Sequence, residues 1–244
     1  MNPTIDLLRR HRSIRRYVDR PLAPEQIEAI IASAQAASTS SNVQAYTVIG
    51  VSDAAIRARL AELAGNQAYV ERCGLFLVWC ADLHRLREAS AMNDAPFSPN
   101  MESLLVATVD TALAAQNAAI AAESLGLGIC YIGGIRNHPQ AVSELLQLPE
   151  LTYPVFGMCV GVPDQESGVR PRFDKEAVYH ENAYDAKHTR QHIQAYDAVM
   201  RPYYRERSQG KLDANWSQGI ADKYRQPVRA HMKSFLEGRG FRLD

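Results

Sequence analysis

Leu125-Gly126-Leu127-Gly128-Ile129-Cys130-Tyr131-Ile132-Gly133-Gly134 is where one kind of secondary structure gives way to another. Upstream, from about residue 101 to 125, alanine, valine, leucine and isoleucine fall on nearly every face of a helix. A helix of that composition is expected to be buried almost all round. At 1.5 Å per residue it spans roughly 35 Å, more than a small domain needs, and a core shared between subunits is one way to cover it. Gly126 and Gly128 stop the helix, and residues 129–132 start a strand. Gly126-Leu127-Gly128 also looks like the opening of a dinucleotide fingerprint, but Tyr131 occupies the position of the third glycine. The glycines precede a strand instead of linking a strand to a helix, which excludes a Rossmann site.

Working outward, Ile27, Ile30, Ile31 and Ala34 at i, i+3, i+4, i+7 predict a helix over 24–37, with Pro24 in its first turn. The polar run 38–42 ends it, and the β-branched run 46–51 predicts a strand. Asp53 is the expected N-cap of a helix reaching about residue 64, and 75–81 is a second buried strand. Downstream, 139–146 is helical and 155–162 is the last clear strand. After Pro163 the chain turns polar over 164–185. Helical patterns then cover about 187–207 and 217–238, with a loop at 208–215 between them. Strands interleaved with helices predict an α/β or α+β layered fold with helices on both faces of a small sheet.

With 244 residues, 46% of them apolar, the chain can bury a sizeable core as one domain or a domain with an appendage. Zero net charge and a neutral isoelectric point argue against a nucleic-acid or anionic-membrane binder. No stretch approaches the roughly 18 continuous apolar residues of a membrane span, and Asp6, Arg9 and Arg10 break any signal-peptide pattern. Cys80, Cys130 and Cys159 sit in apolar, strand-like runs, no pair forms C-x-x-C, and nothing in the sequence activates Cys73. The expectation is a cytoplasmic protein with buried, reduced thiols.

His11-Arg12-Ser13-Ile14-Arg15-Arg16-Tyr17 carries three arginines, an imidazole and a hydroxyl within seven residues. Arg170 and Arg172 flank Pro171 far downstream. Guanidinium forks match phosphate oxygens bidentately and stay charged at any working pH. In a chain of zero net charge, such distant clusters point to a folded pocket for a phosphorylated cofactor; the other reading is arginine on a solvated surface. No phosphate-binding G-x-x-x-x-G-K-[ST] loop, nucleophile elbow or Ser/His/Asp set accompanies them. His188 and His192 share a helix face, but without a third ligand they read as a solvated face, and no metal site is assigned. A phosphate-loving pocket without hydrolytic or metal machinery suits a cofactor that carries the chemistry itself.

These residues resemble the nitroreductase superfamily, in particular its larger NADPH–flavin oxidoreductase branch. The resemblance runs through His11–Tyr17, Ser38–Gln44, Gly65-Asn66-Gln67, 115–134, Arg170-Pro171-Arg172, Tyr179-His180-Glu181-Asn182 and Trp216-Ser217, essentially the whole chain. It implies an α+β homodimer with a mostly antiparallel central sheet flanked by helices and FMN sites at the dimer interface. It divides the chain into a flavin-binding core, 1–163, and a C-terminal helical extension, 164–244, which embraces the partner. Carried over by position, His11, Arg12, Ser13 and Arg15 hold the FMN phosphate and ribityl chain, helped by Arg170 and Arg172. Arg170 stands where relatives commonly have lysine. Thr39 and Ser40 approach the flavin of the other subunit, and Gln67 contacts its ring or ribityl edge. Tyr131, Ile132, Gly133 and Gly134 line the ring face, where the two glycines let backbone come close to a flat ring. Arg207 and Lys211 bind the phosphates of NADPH. Leu212 falls where relatives often carry a second arginine, so NADPH preference is expected to weaken and NADH to serve as well.

The function so implied is an FMN-dependent NAD(P)H oxidoreductase working by a ping-pong cycle. Hydride passes from the nicotinamide to flavin N5 and then to a nitroaromatic, a quinone or free flavin. No side chain need act as acid or base, so no catalytic residue is assigned. The alternative is a flavin-binding carrier or redox sensor without turnover.

Overall fold

A computed structural model describes residues 2–244. The chain divides into two compact units: the first runs to Ser167 and takes in His231–Asp244 as well, and the second is Gly168–Ala230.

In the first unit, β1 (Tyr46–Val51), β2 (Leu75–Asp82), β3 (Gly128–Ile132) and β4 (Thr152–Gly161) form one sheet in the order β1-β2-β4-β3. Every neighbouring pair is antiparallel, which decides for α+β over α/β. Strand β2 is buried along its whole length because helices cover both sheet faces. Its side chains alternate with the pleat. Phe76, Val78 and Cys80 enter one core, and Leu75, Leu77 and Trp79 enter the other.

The N-terminal helix α1 (Pro3–Arg9) precedes α2 (Pro24–Gln35), and α3 (Ala54–Leu63) is followed by the single turn α4 (Tyr69–Arg72). Next come α5 (His84–Ala91), α6 (Met101–Ser124) and α7 (Pro139–Leu145). Leu60, Val70 and Val142 from α3, α4 and α7 fill the first core. Ile30 and Ala34 of α2 and five alanines of α6 (114, 115, 118, 119, 122) fill the second. A third cluster closes one end of the sheet, where Phe235 and Phe241 pack with Ala45, Leu83, Leu151 and Tyr153. The second unit holds α8 (Thr189–Arg207) and α9 (Trp216–Lys223), and α10 (Met232–Gly238) returns to the first.

Three expectations need correction. Helix α6 is not buried all round: Leu105 (52% exposed), Val109 (55%) and Leu113 (44%) form an i, i+4 stripe that the described residues leave about half exposed. By length and a mean hydropathy of 1.4 this helix is apolar enough to cross a membrane, yet its other side packs into the sheet as a core helix. The helix expected over 217–238 is two, α9 and α10. Pro227 removes an amide donor between them, and Arg229 takes a left-handed φ of 54°. Strand β4 starts at Thr152 instead of 155, because Pro154 sits opposite the register shift at Trp79/Cys80, where a missing N–H is tolerated.

Candidate functional site

The His11–Tyr17 segment is laid along β3. Ser13 forms a parallel bridge with Ile129, the Ile14 amide donates to the Ile129 carbonyl at 2.9 Å, and Tyr17 bridges Pro163. Ile14 and Tyr17 anchor it in the core, and the Tyr17 hydroxyl donates back to the Ile14 carbonyl at 2.6 Å. The residues between these anchors, Arg15 and Arg16, are left for other work. The amides of Arg15 and Arg16 both donate to Gln165 Oε1, at 3.0 and 2.8 Å. His11 Nδ1 meets Glu123 of α6 at 2.7 Å. Arg16 turns to Asp164, whose carbonyl accepts from its Nε at 2.9 Å. Among the described residues no carboxylate is in ion-pair range of Arg12 or Arg15. Arg12 lines a cavity of about 210 Å³ together with Arg10, Glu123 and Gly128.

A turn after α3, with Gly65 (φ 94°) and Asn66 (φ 58°) in the left-handed region, presents Gln67. Its Nε2 donates to the Ala64 carbonyl at 2.7 Å, and its Oε1 accepts a short hydrogen bond from the Tyr69 hydroxyl. The Arg15 guanidinium lies within reach of the same hydroxyl and of the Cys130 thiol on β3. Burial pushes both of those groups up from their ordinary pKa, and Arg15 partly offsets this. Contact with the Cys159 thiol lowers the pKa of the buried Cys73, against the effect of burial, and the Arg57 guanidinium, Nη2 3.3 Å from Sγ, acts in the same direction as Cys159.

Gly134 and Gly133 play different parts. A Cβ on Gly134 would collide with the Ala64 carbonyl oxygen and come within 2.7 Å of Gln67 Nε2. Glycine there makes room for the protein's own turn. A Cβ on Gly133 would meet only Arg136 Nη2, at 3.8 Å, so the chain itself leaves that side open. Ile132 is buried, while Tyr131 is half-buried and packs edge-on against Phe156.

Thr39 and Ser40 lie in a loop where Ser41, Asn42 and Gln44 all take positive φ, 47°, 58° and 53°. Strained backbone of this kind persists only where the surroundings fix it. Asp110 of α6, 1% exposed, does the fixing: its carboxylate accepts from the Ser40 amide at 3.0 Å and the Ala45 amide at 3.1 Å. A carboxylate in the middle of an alanine-rich helix, Asp110, was the sequence signal for it.

Within the second unit, the Pro171 carbonyl accepts the Tyr196 hydroxyl at 2.8 Å. Tyr196 stacks on Phe173 at 4.0 Å between ring centres, and Trp216 meets Phe173 edge-on. This aromatic group fixes the turn that carries Arg170 and Arg172. Arg207 ends α8, and Lys211 and the exposed Leu212 follow in a turn with Gly210 at φ 81°. Arg201 clamps Asp213 bidentately at 2.7 and 2.8 Å, closing the loop that bears Lys211. His11, Arg12, Ser13, Arg15, Gln67 and residues 131–134 are thus neighbours in the first unit; Arg170, Arg172, Arg207 and Lys211 belong to the second. A wider cleft of about 710 Å³, lined by His138, Glu144 and His231 among others, holds none of the predicted residues.

Comparison with known proteins places this geometry in context. Residues 8–162 match the model of the nitroreductase family, and 170–244 match that of the nitroreductase family C-terminal domain. The chain is 48% identical over 249 residues to an FMN reductase (NADPH) of Bacillus subtilis, covering 99% of both. It is 40% identical over 241 residues to an oxygen-insensitive NADPH nitroreductase of Salmonella typhimurium, again covering 99% of both. Among solved structures, the NADPH:FMN oxidoreductase of Vibrio harveyi, complexed with NAD+, superposes with a TM-score of 0.89. The identity there is 40%, over 98% of this chain and 99% of that one. Two family models that together cover nearly every residue leave one assignment: the chain belongs to the nitroreductase family.

Proposed function

We infer that this chain is an FMN-dependent NAD(P)H oxidoreductase that passes electrons to small acceptors: nitroaromatics, quinones and free flavin. The full-length relatives named FMN reductase and NADPH nitroreductase support the activity. The observation that carries the site assignment is the meeting at Gln67 of the Tyr69 hydroxyl and Gly134, beside the arginine-bearing segment on β3.

Bound FMN supplies the carrier that takes hydride from the nicotinamide and gives it to the acceptor. The protein's work is binding and orientation. We assign Arg12 and Arg15, with His11 and Ser13, to the phosphate and ribityl chain. Their uncompensated charge suits a dianion, and charge-assisted hydrogen bonds are roughly twice as strong as neutral ones. Arg170 and Arg172 are assigned to the same phosphate. Gln67 takes the polar edge of the ring system, and residues 131–134 take its face. Gly133 fits that role because no protein atom fills the space where its Cβ would stand.

Arg207 and Lys211 are assigned to the nucleotide phosphates. With Leu212 in place of a second cation, both NADPH and NADH are substrates in this reading. The bare stripe Leu105–Val109–Leu113 supports a homodimer, in which a second copy covers it and Thr39 and Ser40 reach the partner's flavin. Four buried free cysteines support work in the reducing cytoplasm.

Anaerobic stopped-flow mixing with NADPH is the test. The FMN-loaded protein bleaches within a turnover and regains its colour when a quinone or nitrofuran is added. Protein that binds FMN but stays oxidised is a carrier, and protein that takes up no FMN refutes the reading.

A further inference from the structure

Tyr69 has a place in the site that neither the sequence motifs nor the relatives' names assign. A phenol hydroxyl has one proton to give and can accept in return. Here the proton goes to Gln67 Oε1. The other end of the Gln67 carboxamide is tied to the Ala64 carbonyl at 2.7 Å. The direction of the chain is therefore fixed: Tyr69 to Gln67, Gln67 to Ala64. Turning the carboxamide over would set its oxygen against the Ala64 carbonyl oxygen, two acceptors without a proton between them. Gly134 keeps the arrangement tight, because a Cβ there would press on both Ala64 and Gln67.

We propose that Tyr69 is a positioning residue for the flavin site: its hydroxyl locks the Gln67 carboxamide in one orientation. This rests on the FMN assignment above. The carboxamide assigned to the polar edge of the ring system is thereby set before the ligand arrives. Preorganisation of this kind lowers the ordering cost of binding. Burial keeps the phenol protonated across the working range, so the relay does not switch with pH.

The test is a double-mutant cycle on FMN affinity, read by quenching of flavin fluorescence as flavin-stripped protein is titrated. Tyr69→Phe keeps the ring and removes only the hydroxyl, and is expected to weaken FMN binding by about five- to tenfold. Gln67→Ala weakens it as well. Adding Tyr69→Phe to Gln67→Ala should cost no more than about a further twofold, since the hydroxyl then has no carboxamide to hold. The visible circular dichroism of the bound flavin should change in Tyr69→Phe, whereas the melting temperature of the flavin-free protein should not. Equal losses from Tyr69→Phe in both backgrounds, or wild-type affinity in Tyr69→Phe, overturns the proposal and leaves the FMN reading standing. Absence of FMN binding by the wild-type protein overturns both.

Discussion

The buried carboxylate of Asp110 accepts the backbone N–H of Ser40 at 3.0 Å, joining the longest helix to the most strained loop. Its second oxygen serves Ala45. Asp110→Asn keeps the shape but replaces one acceptor oxygen with an NH2 that faces another donor. The expected loss is about 1–3 kcal/mol, seen as a melting temperature several degrees lower. An unchanged melting temperature would show that the loop does not depend on this carboxylate.

Gly133→Ala and Gly134→Ala should part company. Gly134→Ala forces its Cβ onto Ala64 and lowers the stability of the flavin-free protein by about 1–3 kcal/mol. Gly133→Ala has room within the chain, so the flavin-free protein melts as wild type, while FMN binding weakens. If Gly133→Ala binds FMN normally, that residue does not face the ring.

Arg15→Ala removes a charge-assisted contact worth about 1.5–3 kcal/mol. FMN affinity, measured by fluorescence titration, should fall at least tenfold, and Arg15→Lys should recover only part of it because a point charge lacks the fork. The adjacent Arg16, turned toward Asp164, is the control: Arg16→Ala should leave affinity within about twofold.

Alkaline stability follows from Tyr17. Burial raises its folded pKa above the unfolded value, so the neutral phenol is the form the native state favours. That contribution is fully present below about pH 10 and is lost as pH rises beyond it. Tyr17→Phe should cost about 1 kcal/mol at neutral pH, the price of the bond to the Ile14 carbonyl, but should flatten the decline above pH 10. Denaturant midpoints at pH 7 and 10.5 decide it; parallel declines would assign the alkaline loss elsewhere.

Leu212→Arg should restore a phosphate contact in the turn after α8. The KM for NADPH is expected to fall about tenfold with the KM for NADH unchanged. A similar change for both nucleotides would mean that position 212 does not meet the 2′-phosphate.

Local patterns made most of the fold legible. The Asp53 cap, the strand over 46–51 and the glycines after α6 follow from residues close in sequence, and each element stands where its pattern put it. Pro154 hid the start of β4, because whether a strand tolerates proline depends on a bulge in its neighbour. The stripe on α6 was hidden for a related reason: composition counts apolar faces, and only packing shows which one is left bare. At the candidate site, the arginines and glycines were visible as residue types, but the reason for Gly134 was not. Its need comes from Ala64, seventy positions earlier. Asp110 and Tyr69 act through partners that no spacing rule connects, and so does the Arg201–Asp213 clamp.

Phe235 and Phe241 complete a core whose other members, among them Ala45, Leu83 and Leu151, are made long before them. The Leu151 amide donates to the Arg239 carbonyl at 2.8 Å, so even the backbone there waits for its counterpart. A nascent polypeptide emerging from the ribosome thus carries an unfinished hydrophobic end past residue 230, exposed until synthesis has supplied the closing helix. Deletions that stop short of that helix should yield insoluble protein for a reason unrelated to catalysis.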